Sequence, residues 1–309
     1  MGVPVKSTFL VLVACLFLGA CAGSAPRPLF EYPIVFTTPS GAHSASPVLV
    51  LHVGDTTVAM VLDNNVTHQM FTREFAAARK LAVKGTIIGT KDHAGVGFDA
   101  DRLEDILVTV GDRTIVLDHA GAFEMDPSFG DDRLAGILPV DALLDTGYVL
   151  IAPSAGRLIG YRASAADVLA AFITHGWRAD SVPTTRDALG HLYIEATLPG
   201  RSTTWASFDL GGSVTEASLA YAGGAFVDSV CVVVSASGAC QWGVKRPHPE
   251  LSFATGRLPL DTLVVTRIAG GASVADVESS LLLGMDALAK CSFAIPIRHD
   301  GPVLLGCTQ

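Results

Sequence analysis

Residues 57–67 of the chain read TVAMVLDNNVT, an apolar run that ends in Asp63 and continues into polar residues. Residues 204–215 read TWASFDLGGSVT and place Asp209 at the corresponding point of a second run. Short apolar runs rich in β-branched and aromatic residues are typical of strands. The sequence therefore predicts two strands, one in each half of the chain, that each lead into an aspartate.

A second pair of matching segments follows at almost the same distance in each half. Residues 136–143 read GILPVDAL, and residues 282–288 read LLGMDAL. Counted from the strand-ending aspartate of its half, Asp141 lies 78 residues further on and Asp286 lies 77. Fixed spacing between recurring segments indicates an internal repeat. We interpret the chain as a duplication with one strand-to-aspartate unit at an equivalent position in each half.

The remaining sequence alternates short apolar runs with Gly, Asp and Asn, which predicts a mainly β fold with a few short helices. Hydrophobic residues make up 50% of the chain and charged residues 17%, so much of the chain must be buried. Three segments have helical character: Thr72–Lys80, Ala165–Thr174 with Ser164 as its N-cap, and Val274–Leu283.

The duplication divides the mature chain into two lobes. We place the first lobe at residues 45–162 and the second at residues 190–309. Residues 163–189 interrupt the β pattern with a helical part followed by a turn-rich part, and we interpret them as the interlobe linker.

These segments resemble the pepsin/retropepsin family of aspartic peptidases. In that family an apolar strand leads into Asp-Thr/Ser-Gly-Ser/Thr, and an apolar-Gly-x-Asp/Gly-x-Leu segment follows later in each lobe. The resemblance covers roughly residues 45–162 and 190–307. It implies an all-β, mainly β acid-protease fold, in which two β-barrel-like lobes are related by a pseudo-twofold axis and enclose a cleft.

The resemblance implies that Asp63 and Asp209 are the catalytic pair of a peptide-bond hydrolase. Two carboxylates brought together across the lobes cannot both ionise easily and share one proton. The ionised group would take a proton from a water, and the protonated group would donate to the scissile carbonyl oxygen. The implied substrate or ligand is an extended peptide or protein held largely through main-chain hydrogen bonds.

In this family a hairpin of the first lobe closes over the cleft. The candidate flap is Thr86–Phe98, which contains Gly89, Gly95 and Gly97. It lacks the tyrosine of pepsin-like flaps, but retropepsin-like flaps manage with glycines.

The residues after both aspartates depart from the family's pattern. The family's Thr or Ser hydrogen-bonds the main chain of the opposite lobe, and here Asn64 and Leu210 take its place. Leucine has no hydrogen-bonding group, and we expect Asn64 to make a different contact. Gly211 keeps the family's glycine, whereas Asn65 would bring a Cβ and an amide beside Asp63, where the water should lie.

Two functions follow from these departures. The first is an aspartic endopeptidase, favoured by the retention of both aspartates. The alternative is a catalytically degenerate form of the same fold that binds peptides or proteins, favoured by Asn64, Asn65 and Leu210. The sequence names neither the substrate nor the partner.

Three other aspartates lie in or near these recurring segments. Asp145-Thr146-Gly147 is the only literal Asp-Thr-Gly of the chain and could pair with Asp209. The residue equivalent to Asp145 in the second half is Lys290, so we favour a surface turn there. Asp141 and Asp286 are expected to cap or orient a short helix after a strand.

The first 20 residues form a predicted export signal. Lys6 precedes the apolar run Phe9–Phe17, which is too short to span a membrane. Leu18-Gly19-Ala20-Cys21 resembles a bacterial lipobox, which implies cleavage before Cys21 and its lipidation. Residues 21–44 would then include a tether. Ala22 stands after the cysteine in place of Asp, which in a Gram-negative cell would indicate the outer membrane. The alternative is an ordinary signal peptide in which Cys21 is incidental.

Four cysteines remain for disulfides, which an exported protein favours. Three pairings are possible. We favour Cys291–Cys307 across a predicted hairpin, which leaves Cys231–Cys240 around a turn.

Composition excludes several partners. The net charge is −9 and no Lys/Arg cluster offers a phosphate footprint, so nucleic acid is not an expected partner. The histidines have no metal-site spacing, and we expect neither a metal nor a cofactor. The oligomeric state is not encoded in any pattern, and a monomer is our default expectation.

Overall fold

The computed structural model describes residues 25–37, 46–91, 97–125, 134–225, 229–235, 237–247, 249–253, 256–267, 279–298 and 300–307. Over these residues the chain forms 25 β-strands and four short α-helices, so the predicted mainly β class is confirmed. No helix in these ranges is long and apolar enough to cross a membrane.

The first half contributes twelve strands: β1 Phe30–Thr37, β2 Ser46–Val53, β3 Thr56–Asp63, β4 Met70–Thr72, β5 Val83–Lys91, β6 Gly97–Leu103, β7 Ile106–Val110, β8 Arg113–Leu117, β9 Gly121–Phe123, β10 Leu134–Pro139, β11 Gly147–Ala152 and β12 Arg157–Tyr161. The remaining thirteen are β13 Asp180–Val182, β14 Thr184–Arg186, β15 Leu192–Ala196, β16 Thr204–Phe208, β17 Glu216–Ser218, β18 Val230–Val234, β19 Cys240–Pro247, β20 Glu250–Phe253, β21 Gly256–Pro259, β22 Thr262–Thr266, β23 Ser279–Leu283, β24 Cys291–Ile297 and β25 Val303–Cys307. The helices are α1 Arg73–Ala78, α2 Ala165–Thr174, α3 Leu219–Ala222 and α4 Met285–Leu288, with 3-10 turns at Val140–Ala142 and Pro153–Ala155.

The two halves have the same strand order, which is the duplication expressed in three dimensions. In the first half the order is β2-β3-β10-β4-β9-β6-β5, and in the second it is β15-β16-β23-β17-β22-β19-β18. The β7–β8 and β20–β21 hairpins also occupy equivalent places in the chain. The prediction of a duplicated, two-lobed fold is therefore confirmed.

In each half a late strand is inserted beside the strand that leads to the aspartate. β10 runs parallel to β3 and antiparallel to β4, and β23 runs parallel to β16 and antiparallel to β17. All six residues of β10 are buried, as are the last three of β23. Strands buried on both faces read as continuous apolar runs, which explains the recurring segments of the sequence.

A sheet shared by both halves joins the lobes. Its strand order is β13-β25-β24-β11-β12-β1, and its central pair is β11 with β24, where Val149 faces Ile295. Every residue of these two strands is buried. The ring of Phe293 on β24 packs edge-on against Phe208 at the end of β16, with centroids 5.2 Å apart. The core is therefore continuous from the shared sheet to the strand before Asp209.

Two of the three predicted helices are present. Thr72 caps α1 by accepting from Phe75 N–H, and Ser164 caps α2 in a reciprocal pair with Asp167. The third prediction is wrong over residues 279–283, which form β23; residues 274–278 lie outside the described ranges. A short apolar run does not distinguish a buried strand from a helix by its periodicity, and here two neighbouring strands enforce the strand.

The segment 163–189 contains more regular structure than the turn-rich interpretation allowed. After α2, strand β13 joins the shared sheet by pairing with β25. Strand β14 pairs with β15 and so belongs to the sheet of the second lobe. The path between the lobes is therefore built into both sheets.

The two disulfides follow the pairing that the sequence favoured. Cys291 and Cys307 face each other on β24 and β25. Cys231 and Cys240 join β18 to β19 around a turn in which Gly238 N–H donates to Ser235 O. Both bridges therefore stabilise hairpins of the second half.

Candidate active site

Asp63 and Asp209 end equivalent strands. Asp63 is the last residue of β3, opposite Pro139 on the parallel strand β10. Asp209 follows β16 directly, and its N–H donates to Leu283 O on the parallel strand β23 at 3.0 Å. The two residues are 8% and 5% exposed. Each carboxyl group is thus held at the end of a buried parallel strand pair.

Each carboxylate also accepts a main-chain hydrogen bond from its own loop. Asn65 N–H donates to Asp63 Oδ1 at 2.7 Å, and Gly212 N–H donates to Asp209 Oδ1 at 2.9 Å. Hydrogen bonds to an ionised acceptor are short and about twice as strong as neutral ones. The two loops therefore fix the orientation of both side chains.

The glycines after Asp209 bring the two loops into contact. A Cβ added to Gly211 would overlap Oδ2 of Asp63, on the opposite lobe. A Cβ added to Gly212 would stand 3.0 Å from Oδ2 of Asp209. Glycine is required where the main chain approaches another group this closely. Both carboxylates thus lie against the same Gly211–Gly212 turn, which places them on facing sides of the interlobe boundary.

Asn64 hydrogen-bonds the main chain of the opposite lobe, where we expected a different contact. Its Nδ2 donates to Phe208 O, and its Oδ1 accepts from Leu210 N–H at 2.9 Å. These two groups flank Asp209 in the chain. The expectation of a different contact is corrected, because an amide carries both a donor and an acceptor and spans the same two main-chain groups that a hydroxyl could.

Leu210 makes no reciprocal side-chain hydrogen bond. Its side chain is fully buried and belongs to the main apolar core. The contact is therefore one-sided. The side chain of Asn64 in the first lobe hydrogen-bonds the main chain of the second lobe, whereas the side chain of Leu210 contributes apolar packing instead of a reciprocal hydrogen bond.

Asn65 occupies the family's glycine position and also reaches across the boundary. Its Nδ2 donates to Ser207 Oγ at 3.0 Å. Its Oδ1 is buried and has no hydrogen-bond partner among the described residues. A buried acceptor without a donor is costly, by about 1–3 kcal/mol. The bond to Ser207 directs the side chain toward β16, two residues before Asp209, and leaves this acceptor buried.

The flap candidate lies on the β5–β6 hairpin. Phe98 faces Thr90, and Gly97 faces Lys91 across the hairpin. Gly89 has a φ of +79° and no atom within 4 Å of an added Cβ, so it marks a bulge in an open segment. Gly95 lies outside the described residues.

This hairpin also meets the segment that follows Asp63. Partly buried Val66, Ile87 and Phe98 pack on a small apolar cluster that includes Phe123, whose ring centroid is 5.3 Å from that of Phe98. The hairpin and the loop of Asp63 therefore share one apolar patch.

Asp141, Asp145 and Asp286 each have contacts of their own. The Asp145 side chain is 89% exposed and 3.9 Å from Arg162, in agreement with a surface turn. Asp141 lies in a 3-10 turn and pairs with Arg298 at 3.5 Å. Asp286 accepts from Thr215 Oγ1 at 2.6 Å and from Ala287 N–H, while burial raises its pKa.

Neither Asp141 nor Asp286 is an N-cap. Pro139 and Gly284 hold those positions, without a side-chain hydrogen bond. The capping half of the prediction is therefore wrong, because each aspartate lies two residues after the N-cap. Asp286 does orient its helix, through the bond to Ala287 N–H.

One group of side chains close to the site was not found from the sequence. Asp187 accepts from the main-chain N–H groups of Leu189 and His191, from His191 Nδ1 at 2.8 Å and from Tyr193 OH at 2.9 Å. Burial raises the pKa of Asp187, but these donors outweigh it and hold the pKa below its usual range. The polar run before β15 is the sequence feature that could have indicated this group, but such a run is also typical of a turn.

Comparison with known proteins supports the fold alone. No family model matches the chain, and no curated protein matches its sequence. Among solved structures, the crystal structure of the aspartic proteinase from Irpex lacteus matches with a TM-score of 0.52. The match covers 91% of this chain and 97% of that chain, at 12% sequence identity. The chain therefore has the fold of a pepsin-like aspartic proteinase, and its function must be argued from the site.

Proposed function

We propose that this protein hydrolyses peptide bonds with Asp63 and Asp209 as its catalytic pair. The observation that carries the proposal is the arrangement of two nearly buried carboxylates against one glycine turn, each oriented by an amide of its own loop. Retaining two facing carboxylates in a buried place is costly unless they share a proton or bind a polar ligand.

The chemistry would proceed without a covalent intermediate. One carboxylate takes a proton from a water as that water attacks the scissile carbonyl carbon. The other carboxyl group donates its proton to the carbonyl oxygen, which gives a neutral tetrahedral intermediate. Transfer of a proton to the leaving nitrogen then breaks the C–N bond. An extended peptide is the substrate that an interlobe cleft accommodates.

Hydrolysis of an unfolded protein at acid pH tests this proposal. We expect Asp209→Asn to lower kcat by at least about a hundredfold, because it removes one of the two proton-transferring groups. Asp145→Asn is the matched control, since Asp145 is an exposed aspartate in a literal Asp-Thr-Gly. Equal activity of Asp209→Asn and the parent protein would exclude the aspartate pair as the catalyst.

A second candidate function is peptide binding without hydrolysis. The observation that favours it is Asn65, whose side chain stands where the family has a glycine and reaches toward Ser207. In that case the parent protein and Asp209→Asn would both bind unfolded peptides, and neither would cleave them at any pH. Cleavage that Asp209→Asn abolishes would exclude this candidate.

We also propose that the protein is exported and anchored to the cell envelope through lipid on Cys21. The support is the lipobox-like sequence and the two disulfides, which persist in oxidising compartments. Residues 1–24 lie outside the described ranges. Labelling with a radioactive fatty acid should mark the parent protein and not Cys21→Ala, which should leave the membrane fraction. Membrane association of Cys21→Ala would contradict the anchor.

A further inference from the structure

A cavity of about 300 Å³ opens beside the loop of Asp63. We call it the Arg186 pocket. It lies between that loop, the end of β14 and the end of β24, and its polar and charged lining includes Asn64, Thr67, Asp141, Arg186, His191 and Arg298. Asn64 is the residue that also holds the main chain on both sides of Asp209. The pocket therefore adjoins the aspartate pair through a shared residue.

Arg186 is one of the charged residues that line this pocket. Its guanidinium donates to two main-chain carbonyls, Gly190 O and Pro296 O, each at 2.5 Å. The structure records no ion pair to it among the described residues. Burial lowers its pKa, although nearby aspartates partly offset this effect. A guanidinium stays charged at any physiological pH, and its five N–H groups are not exhausted by two carbonyls.

The charges of Asp141, Asp300 and Asp187 act on Arg186, and none of these three aspartates forms an ion pair with it among the described residues. Two of the three have other partners. Asp187 directs both of its oxygens to Leu189, His191 and Tyr193, and its side chain is fully buried. Asp141 pairs with Arg298. Arg186 is thus a half-buried cation with only neutral hydrogen-bond partners, and a buried charge is stabilised by a counter-charge.

The duplication shows that this cation is specific to one lobe. Arg186 faces Leu192 across β14 and β15, and Phe36 faces Pro47 at the equivalent place on β1 and β2. Phe36 lines a second cavity, of about 520 Å³, together with Val214 and Met285. The same position therefore carries a phenyl ring in one half and a guanidinium in the other, so the fold does not itself require a charge there.

We propose that the Arg186 pocket binds a carboxylate of the peptide held between the lobes, through a bidentate contact with Arg186. Planar guanidinium and carboxylate groups match each other in such a contact. The assignment of the carboxylate to a peptide rests on the proposed function. The carboxylate is supplied either by the chain terminus of the peptide or by an acidic side chain, and the experiment separates these sources.

Binding is measured with three fluorescent, unstructured peptides on the full chain carrying Asp209→Asn, so that no peptide is consumed. One peptide has a free terminal carboxylate and no acidic residue, the second has a terminal amide and no acidic residue, and the third has a terminal amide and one glutamate. We expect at least one carboxylate peptide to bind about tenfold more tightly than the neutral peptide. The peptide that binds more tightly than the neutral peptide identifies the source of the carboxylate.

Arg186→Met should remove this preference, and Arg186→Lys should keep part of it because the charge remains. Arg257→Gln is the control, since it removes one positive charge from an exposed pair with Glu250. Thermal unfolding of each variant is followed in parallel, because Arg186 also holds two carbonyls. Equal binding of all three peptides, no binding of any peptide, or a preference that survives Arg186→Met would overturn the proposal.

The outcome is separable from that of the proposed hydrolysis. If the parent protein cleaves peptides but shows no carboxylate preference, the result supports the catalytic pair and excludes the carboxylate site at Arg186. If the protein does not cleave peptides but binds carboxylate peptides more tightly, the result supports the Arg186 site and excludes the catalytic role of the aspartate pair.

Discussion

At the scale of single residues, Asn64 shows how an amide replaces a hydroxyl at an interlobe contact. A hydroxyl joins two main-chain groups through one atom, whereas the amide uses Oδ1 for Leu210 N–H and Nδ2 for Phe208 O. The amide is longer, and it still fits because its two polar atoms are separate. Its position next to Asp63 ties the geometry of the aspartate pair to the contact between the lobes.

Truncation of Asn64 tests this contact. We expect Asn64→Ala to lower the free energy of unfolding by about 1–3 kcal/mol, because two part-buried main-chain groups lose their partners. Asn64→Thr, which restores one donor and one acceptor, should recover part of that loss. Urea unfolding of the three proteins measures the difference. Equal stability of Asn64→Ala and the parent protein would show that the contact contributes nothing.

At the scale of elements, the sequence predicted those features that have a local cause. Ser164 and Asp167 cap α2 within one turn, and the cysteines of β24 and β25 face each other across a hairpin whose turn is visible in the sequence. Strand β23 was mistaken for part of a helix, because its strand state depends on β16 and β17, which lie far from it in the chain.

The candidate site divides in the same way. Asp63 and Asp209 were found because the duplication repeats the apolar strand before each of them. The contacts of Asn64 and Asn65 could not be found, since their partners are 144 and 142 residues away. Arg186 gave no signal at all, because a single arginine in a polar run has no pattern, and only the pairing of β14 with β15 places it beside the pocket.

At the scale of the whole molecule, the lobes share a sheet and a core. The β11–β24 pair is buried along its whole length, and residues from both halves belong to one apolar cluster. Separation of the lobes would expose this surface to water, which is unfavourable by roughly 25 cal/mol per Å². The lobes should therefore lose their structure together.

Equilibrium unfolding in urea, with the disulfides intact, tests this cooperativity. Trp205 and Trp242 lie in the second lobe, and Trp177 packs beside the shared sheet, so fluorescence reports on the second lobe and that sheet, whereas far-ultraviolet circular dichroism reports on the whole chain. We expect the two signals to change with the same midpoint and slope. Separate midpoints would mean that each lobe unfolds independently.

The one-sided contact at the aspartates has a consequence for ancestry and for engineering. Asn65 and Gly211 are equivalent positions, so a homodimer of first halves would bring Asn65 to the place of Gly211 and drive its Cβ into the facing aspartate. A homodimer of second halves would carry Leu210 on both sides and lose both cross-lobe hydrogen bonds. Neither half remains self-complementary. A minimal symmetric version built from the first half would therefore require a glycine at position 65, and one built from the second half would require a hydrogen-bonding residue at position 210.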